Sequence, residues 1–369
     1  MRHSASRRRL LSAAITVPAL AMPALVRAQG PIGGRDLLGR TVSLPRPARR
    51  IVLAQGRHIM ALNLLHPDPA SLVLGWGSDF KRAFSVEYEP YRTRYPALAN
   101  LPVIGGTTEA PAVEGILALA PDLVLASRWN TGGQGADAPL IRAMENAGIP
   151  VAIIDFFVQP LRDSEASIAL LGTLIGREEQ ARALSAFHRE SLHRVTAALG
   201  PDPVRPLVMI HAHAGATPCC YSAGRGIFDD FIRFAGGHNL GADVMTTVFG
   251  SVALETLLSR DPAVYVATGG GFAGQGVRLG AGTTREEARQ SLDAMVEKEK
   301  LGSLSAVQDG RKHGMWHGFN DSPTHLLAIE CLARWQHPEA RGLADPAASL
   351  EAINNRFAAV KMEGTYWLD

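Results

Sequence analysis

Two histidines with the spacing of a strand form the sharpest group of potential metal ligands in the chain. His211 and His213 follow the apolar run at 207–210, which predicts a buried strand. Because side chains two residues apart in a strand point to the same face, both imidazoles are expected at one surface. Imidazole binds iron, zinc and copper, so the pair predicts metal capture, or completion of the iron shell of a chelate with help from Tyr221. The alternative is a pair of hydrogen-bonded histidines at a strand end.

Further basic and aromatic residues follow other predicted strands. In open parallel sheets, ligands bind beyond the carboxyl ends of the strands. Arginines there suit an anionic ligand, and tryptophans supply flat apolar walls. Two alternatives stay open, namely Trp76 as part of the core and Arg57 as the partner of a carboxylate. The candidate ligand-binding residues are Arg57, His58, Trp76, Arg128, Trp129, His211, His213, Tyr221, Trp316 and His317, with Phe319 beside the last two.

No catalytic motif is visible. The glycine-rich run at 269–274 matches the spacing of a dinucleotide-binding fingerprint, but the residues after it do not start a helix, so a cleft loop is expected. A nucleophile elbow, a phosphate-binding Gly-Lys-Ser/Thr loop and a His-Glu-x-x-His motif are all missing from the sequence. We therefore predict that the protein is not an enzyme. The remaining enzymatic alternative is a metalloenzyme built around His211 and His213, which requires a third ligand close by.

Two segments 141 positions apart repeat one pattern, with Glu114 and Glu255 at the same place in each. Each segment predicts a short helix with one acidic residue, then a proline that ends the helix, then a buried strand. A glutamate on a single helix is usually solvated. The same carboxylate at the same position in both halves instead predicts a paired surface for a common partner.

The elements that position these residues alternate between strands and helices, which predicts an α/β fold with parallel sheets. Two Rossmann-like lobes are expected, joined by one long rigid helix at 178–199 whose length is about 30 Å. The predicted strands lie at 50–53, 72–76, 123–126, 151–154, 207–210 and 263–267, and the predicted helices at 59–65, 113–119, 139–147, 161–175 and 178–199. The predicted domains are a signal peptide at 1–28, an N-terminal lobe at 36–157, a helical linker at 158–200 and a C-terminal lobe at 201–369.

The N-terminus is typical of an export signal. Three arginines at 7–9 precede an apolar stretch that prolines interrupt, and Ala28 supplies a small residue for cleavage. The pattern also fits twin-arginine export, with general secretion as the alternative. Removal of residues 1–28 takes away five arginines and no acids, so the formal charge falls from +2 to −3. The apparent basicity therefore gives no support for nucleic-acid binding.

Three cysteines leave the redox state open. Cys219 and Cys220 are adjacent, and a bridge between neighbours strains the peptide between them. Cys331 can reach either without that constraint. The third possibility is that all three are small buried hydrophobic residues.

In this order, several individually weak segments resemble the periplasmic solute-binding proteins of the iron–siderophore, haem and cobalamin uptake class. The segments are DLLGRTV at 36–42, RIV at 50–52, Gly105, APDLV at 120–124, YSAG at 221–224, AGGHN at 235–239, the two glutamate segments, and a tail from Trp316 through HPE at 337–339 to GTYW at 364–367. The resemblance spans nearly the whole chain after the signal. The tail is similar to a subset of these proteins that bind iron complexes.

The resemblance implies a function. A monomeric periplasmic protein would capture a small-molecule iron(III) chelate and deliver it to an ABC permease dimer in the inner membrane. Glu114 and Glu255 would dock on permease arginines. No resident cofactor and no nucleic acid are expected, and the ligand would contain iron. The alternatives are the same class of protein for haem, a corrinoid or a bare metal ion. The family shares no ligand-contact motif, so the binding residues above rest on topology alone.

Overall fold

The computed structural model describes residues 30–105, 111–270 and 275–369. The predicted signal peptide at 1–28 and positions 271–274 of the glycine-rich run lie outside the described residues. None of the helices in the described ranges combines the length and apolar composition that crossing a membrane requires.

A hairpin and a parallel sheet form the first half of the chain. The strands are β1 (Ile32–Arg35), β2 (Thr41–Leu44), β3 (Ile51–Leu53), β4 (Val73–Trp76), β5 (Leu123–Ala126) and β6 (Val151–Ile153). The hairpin pairs β1 with β2, and the sheet has the order β4-β3-β5-β6 with every pair parallel. Nearly all its side chains are buried, as uninterrupted apolar runs predict for a sheet covered on both faces.

Five α-helices lie in the described part of this half. They are α1 (Ile59–Leu65), α2 (Asp79–Ala83), α3 (Ser85–Arg94), α4 (Val113–Leu119) and α5 (Pro139–Asn146). The helices α1 and α4 have the predicted bounds, and α5 ends one residue before its predicted limit. The sequence does not predict α2 and α3, because 79–94 mixes charged and aromatic residues with Pro90 and shows no clear apolar stripe.

Two antiparallel helices connect the halves, α6 (Pro160–Leu174) and α7 (Glu178–Leu199). The predicted bounds of α7 are confirmed. Its buried face is more polar than the predicted stripe, since Ser185, His188 and Ser191 are buried beside Leu184 and Val195. His188 and Ser191 reach hydrogen-bond partners in the second half of the chain, whereas the buried Ser185 hydroxyl has none among the described residues. A helical period in the sequence does not show such contacts.

The second half contains a seven-stranded mixed sheet. The remaining strands are β7 (Leu207–His211), β8 (Tyr221–Ala223), β9 (His238–Asn239), β10 (Phe249–Ser251), β11 (Val264–Gly269), β12 (Gly280–Ala281), β13 (Lys312–Trp316), β14 (Gly364–Thr365) and β15 (Trp367–Leu368). The sheet order is β10-β8-β7-β11-β13-β15, β9 also pairs with β7, and β12 pairs with β14 separately.

The centre of this sheet is parallel as predicted, with β7, β11 and β13 side by side. Its edges differ from the prediction, because β8, β10 and β15 pair antiparallel. The chain between β7 and β8 is too short for the crossover helix of a parallel pair, which takes about a dozen residues.

The remaining helices cover this sheet. They are α8 (Phe228–Phe234), α9 (Leu240–Val244), α10 (Leu254–Arg260), α11 (Arg285–Lys298), α12 (Ser305–Gln308), α13 (Leu326–Gln336) and α14 (Pro346–Arg356). Short 3₁₀ turns lie at Gly56–His58, Pro69–Leu72, Pro96–Asn100, Trp129–Thr131, Gly135–Asp137 and His317–Asp321.

One hydrophobic core joins the two sheets. It contains Leu53 and Leu125 of the first sheet together with Met209 and Tyr265 of the second. A smaller core, which includes Val52 and Ile116, lies around the first sheet alone. Residues Pro31–Asp369 consequently form one compact unit.

The cysteines form the one pairing that the sequence analysis described as strained. Cys219 and Cys220 are joined by a disulfide, and Cys331 is a buried free thiol. Burial raises the pKa of the Cys331 thiol well above its ordinary value, so this side chain behaves as a small hydrophobic residue.

Candidate functional site

A cavity of about 630 Å³ lies where loops of the first sheet face loops of the second. Leu38 and the loops that follow β5 and β6 form one side, and Ile227 and Val248 of the second half form the other. The lining residues are Leu38, Arg128, Trp129, Thr131, Gly132, Gly133, Gly135, Phe157, Val158, Ile227 and Val248. The cavity therefore sits beyond the carboxyl ends of parallel strands, where ligands bind in open α/β sheets. We call it the cleft cavity.

Apolar side chains dominate its walls. Trp129 is 60% exposed, and its ring meets the edge of the Phe157 ring at a centroid distance of 6.4 Å. Val158 and Val248 are also unusually exposed for their type, at 36% and 42%. Exposed apolar surface of this kind is costly in water unless a ligand covers it. The loop can turn around the cavity because Gly133 has a φ of 80°, which side-chain-bearing residues rarely adopt.

Arg128 supplies the positive charge of the cleft cavity. Its Nε lies 3.1 Å from Asp163 Oδ2, and its Nη2 donates to the Leu37 carbonyl oxygen at 2.7 Å. Its backbone N–H donates to Asp155 Oδ2 at 3.2 Å. These contacts fix the guanidinium in place. Arg128 shares the Asp163 carboxylate with Arg162, whose Nε lies 2.7 Å from Asp163 Oδ1. Two guanidiniums beside one carboxylate leave positive charge at this wall, so Arg128 can orient a ligand.

Aromatic rings continue inward along the second sheet. The ring of Tyr221 stacks on Phe249 at 5.9 Å, and Phe249 and Phe228 both lie near His317, at 6.1 and 5.5 Å. His317 Nδ1 is 2.8 Å from the Thr268 hydroxyl, and its Nε2 is 3.1 Å from Asn320 Nδ2. Its hydrogen-bonding groups are thus occupied by protein atoms.

The two sequence-predicted histidines contact different partners. His211 Nδ1 lies 2.6 Å from the Tyr265 hydroxyl, whereas the His213 ring lies 3.6 Å from the His317 ring. The strand ends at His211, and His213 has a φ of 51°, so the alternation of strand faces does not extend to it. Burial lowers the pKa of each to about 4, so both are neutral at pH 7. Within the described ranges no group of three His, Cys, Asp or Glu residues could hold a metal ion. Metal binding by this pair stays a prediction.

Arg57 pairs with carboxylates, the alternative that its sequence context left open. Its Nε lies 2.9 Å from Asp79 Oδ2. Its Nη1 forms a close ion pair with Asp321, which lies 264 positions later in the chain. Both carboxylates are buried. Burial raises the pKa of Asp321 to about 7, although Arg57 opposes the shift. The contact ties the loop after β3 to the loop after β13.

Three other candidates lie in the core. Trp76, Trp316 and His58 are 0%, 1% and 2% exposed. Trp76 packs against Phe80 and Tyr88, which is the alternative that the sequence had left open. Burial lowers the pKa of His58 to about 3, so it is a neutral core residue.

Several cleft residues escaped sequence reasoning. Phe157 lies three positions after the predicted strand at 151–154, so the rule that selected Arg128 could have found it. Asp155, which accepts from the Arg128 backbone N–H, directly follows the same strand. Ile227 and Val248 lie in loops without a local pattern, and only the fold brings them to the cleft cavity. Asp321 ends the 3₁₀ turn at His317–Asp321 and pairs with Arg57 outside the cavity lining.

The two glutamate helices have matching structures. Both α4 and α10 are seven residues long and carry their glutamate in the first turn. Glu114 and Glu255 are exposed, and neither side chain has an ion-pair partner among the described residues. Arg260, on the same helix as Glu255, pairs with Asp243 instead.

Comparison with known proteins identifies similar chains. A family model described as "Periplasmic binding protein" matches residues 65–312. A cobalamin-binding protein of Halobacterium salinarum is 31% identical over 209 residues, which are 55% of this chain and 52% of that protein. The chain thus spans about half the length of the curated relatives it matches.

Solved structures share the fold. The TroA-like periplasmic binding protein FepB from Veillonella parvula has a TM-score of 0.83 at 23% identity and covers 92% of this chain and 99% of its own. The periplasmic heme binding protein from Pseudomonas aeruginosa has a TM-score of 0.54 at 22% identity and covers 81% and 96%. At these identities the likeness concerns the fold alone.

Proposed function

Because the chain belongs to the periplasmic binding protein family, we propose that it captures a small molecule in the cleft cavity and delivers it to an ABC permease in the membrane. The observation that carries the proposal is the apolar cleft cavity of about 630 Å³ between the two sheets. The family consists of binding proteins, not enzymes, as the sequence predicted. The proposed site of action is the periplasm, reached through the predicted N-terminal signal.

We propose a corrinoid as the ligand. Among the described residues that line the cleft cavity, Arg128 is the only charged side chain, and it is held by Asp163, which it shares with Arg162. A corrinoid presents a bulky, largely uncharged periphery around its metal, which suits walls made of Trp129, Phe157 and valines. The curated relative in Halobacterium salinarum, named a cobalamin-binding protein, supports the same ligand class.

An iron(III) chelate is the second candidate, and Arg128 favours it. A guanidinium at the cavity wall can donate a charge-assisted hydrogen bond to an anionic chelate. This ligand would have to compete with Asp163 for that guanidinium. We therefore place it after the corrinoid.

Calorimetric titration of the purified protein separates the two. Cyanocobalamin, haemin and a ferric tris-catecholate are added in turn, and we expect a dissociation constant of about 1 μM or lower, near −8 kcal/mol, for cyanocobalamin. The other two should bind at least tenfold more weakly. Tight binding of the ferric catecholate alone would establish the second candidate. Failure of all three to bind would contradict both.

Delivery is proposed to depend on Glu114 and Glu255. Reversal of both (E114K/E255K) should abolish uptake by cells and leave ligand affinity within about twofold, because the helices lie outside the cleft cavity lining. An exposed ion pair contributes only about 0–1 kcal/mol, so the double change is the fair test. The matched control is E297K/E351K, which reverses two exposed glutamates on α11 and α14. A loss of ligand affinity in E114K/E255K would place these residues in binding instead of docking.

A further inference from the structure

The helices α4 and α10 match in more than their glutamates. Each follows an extended alanine, Ala112 or Ala253. Each ends at a residue with left-handed φ and ψ angles, 45° and 60° at Ala120 and 40° and 71° at Asp261. A proline follows in both cases. Two surfaces with the same backbone course can present side chains in the same way.

Each helix also exposes one leucine. Leu117 and Leu258 lie three residues after Glu114 and Glu255, and each is 37% exposed. Residues three apart in a helix are neighbours on one face, so each leucine lies next to its glutamate. Ile116 and Leu257, which precede them, are fully buried and anchor the helices to the protein.

These leucines stand out from the rest of the surface. Within the described ranges, the large hydrophobic side chains with unusual exposure are Val103, Leu117, Trp129, Val158, Val204, Val244, Val248 and Leu258. Three of these, Trp129, Val158 and Val248, line the cleft cavity. The two leucines in the set occupy equivalent positions 141 residues apart, which is unexpected for unrelated surface residues.

We infer that Leu117 and Leu258 are docking residues, each inserted with its glutamate into a matching socket on a two-copy partner. The inference rests on the proposed function and names the contacts of its delivery step. The partner is the permease dimer, and each socket would offer a basic side chain beside an apolar notch. Two matched carboxylates without ion-pair partners among the described residues call for two cations on the partner, and two matched leucines call for two apolar notches.

The chemistry explains why both residue types are needed. Exposed ion pairs contribute little, and added salt weakens them further. Burial of an apolar side chain is not screened, and central apolar contacts carry most of the affinity in many interfaces. The glutamates would orient the protein on the permease, and the buried leucines would supply most of the affinity.

The test uses the full protein and proteoliposomes that contain the purified permease of the source organism. The variant L117N/L258N should dock at least tenfold more weakly than the unchanged protein, and its affinity for cyanocobalamin should stay within about twofold. V204N is the matched control, since Val204 is 85% exposed and lies outside both helices. It should dock normally. Docking of the unchanged protein should persist in 0.5 M NaCl, whereas that of L117N/L258N should vanish there.

The outcomes separate this inference from the proposed function. If L117N/L258N docks normally while E114K/E255K does not, the leucines are not docking residues and the proposed function stands. If the unchanged protein does not bind the permease, the proposed delivery fails. Melting temperatures establish that each variant is folded. Should L117N/L258N unfold, L117A/L258A replaces it, with the same tenfold loss expected and normal docking again contradicting the inference.

Discussion

At the scale of single residues, Trp129 is the aromatic side chain with the most open surface in the described part of the chain, at 60% exposed. It is the first residue of a 3₁₀ turn after β5. Its ring packs against Phe157, and both residues line the cleft cavity. A ligand that covers the ring would bury on the order of 100 Å², equivalent to about 2–3 kcal/mol.

We therefore expect W129A to weaken ligand binding by about 30-fold. The affinity of W129F should lie between those of W129A and the unchanged protein. Calorimetric titration with cyanocobalamin measures the change. The exposed Val204 lies outside the cleft cavity lining, so V204A serves as the control and should bind normally. Unchanged affinity in W129A would show that the ligand binds elsewhere.

Arg57 and Asp321 should respond unequally to removal of their charges. R57M leaves Asp79 and Asp321 buried without their cation, which typically costs about 3–5 kcal/mol. D321N leaves Arg57 its pair with Asp79 and should be much milder.

The effect of D321N should also depend on pH. The pKa of Asp321 is raised to about 7 by burial, so the folded protein binds its proton more tightly than the unfolded chain does. Asp321 therefore lowers stability as the pH rises through 7, and D321N removes that loss. Urea denaturation measures the free energy of unfolding. The value for D321N minus that for the unchanged protein should be larger at pH 8 than at pH 5. Equal differences at both pH values would contradict the raised pKa.

At the scale of elements, α7 connects the halves as a packed helix and not as free strands. His188 Nε2 lies 3.0 Å from His325 Nε2 at the start of α13, and Ser191 contacts Glu330 on the same helix. Glu330 also accepts from Ser349 of α14 at 3.0 Å. The connection is thus fixed by buried hydrogen bonds to the second half.

This packing predicts little movement when ligand binds. X-ray scattering with and without cyanocobalamin should give radii of gyration that agree within about 1 Å, since opening requires breaking buried polar contacts. The variant H188A/S191A, which removes two of these contacts, provides the comparison and should show a larger change. Contraction of the unchanged protein by several Å would contradict a stiff connection.

At the scale of the whole molecule, buried histidines dominate the response to acid. Burial lowers the pKa of His58 to about 3 and of His211, His213, His313 and His325 to about 4, against an ordinary value of 6.5. The unfolded chain therefore binds more protons than the folded protein between about pH 4 and 6.5, so these groups destabilise the fold as the pH falls through that window.

Buried carboxyl groups act in the opposite direction, and burial raises the pKa of Asp155 and Glu330 among them. Burial raises the pKa of Glu87 and of Asp321 to about 7, so their contribution stabilises the fold on acidification. The histidines outweigh the carboxyl groups, because burial also lowers the pKa of His188 and His317 well below the ordinary value. We expect the free energy of unfolding to fall from pH 6.5 to pH 4.5, measured by urea denaturation at several pH values. A constant or rising value would mean that these histidines are not buried in neutral form.

The fold class and the family could be predicted from the sequence, and both are confirmed. Apolar runs of four or five residues predict the strands, and apolar residues at helical spacing predict the helices. These predictions work because each strand or helix depends on residues only a few positions apart in the sequence. The bounds of α1, α4, α7 and β5 follow from such runs and from prolines. The repeated glutamate segments were also visible as a spacing in the chain.

Only the tertiary structure decided which strand-end residues reach the cleft cavity. Arg128 and Trp129 line it, whereas Arg57 meets Asp321 from the far end of the chain and Trp76 turns into the core. The physical reason is that a strand end specifies the edge of a sheet but not the direction of the side chain, which depends on what packs against it. Ile227 and Val248 illustrate the same limit, because they become cavity walls through the approach of two sheets that no local pattern describes.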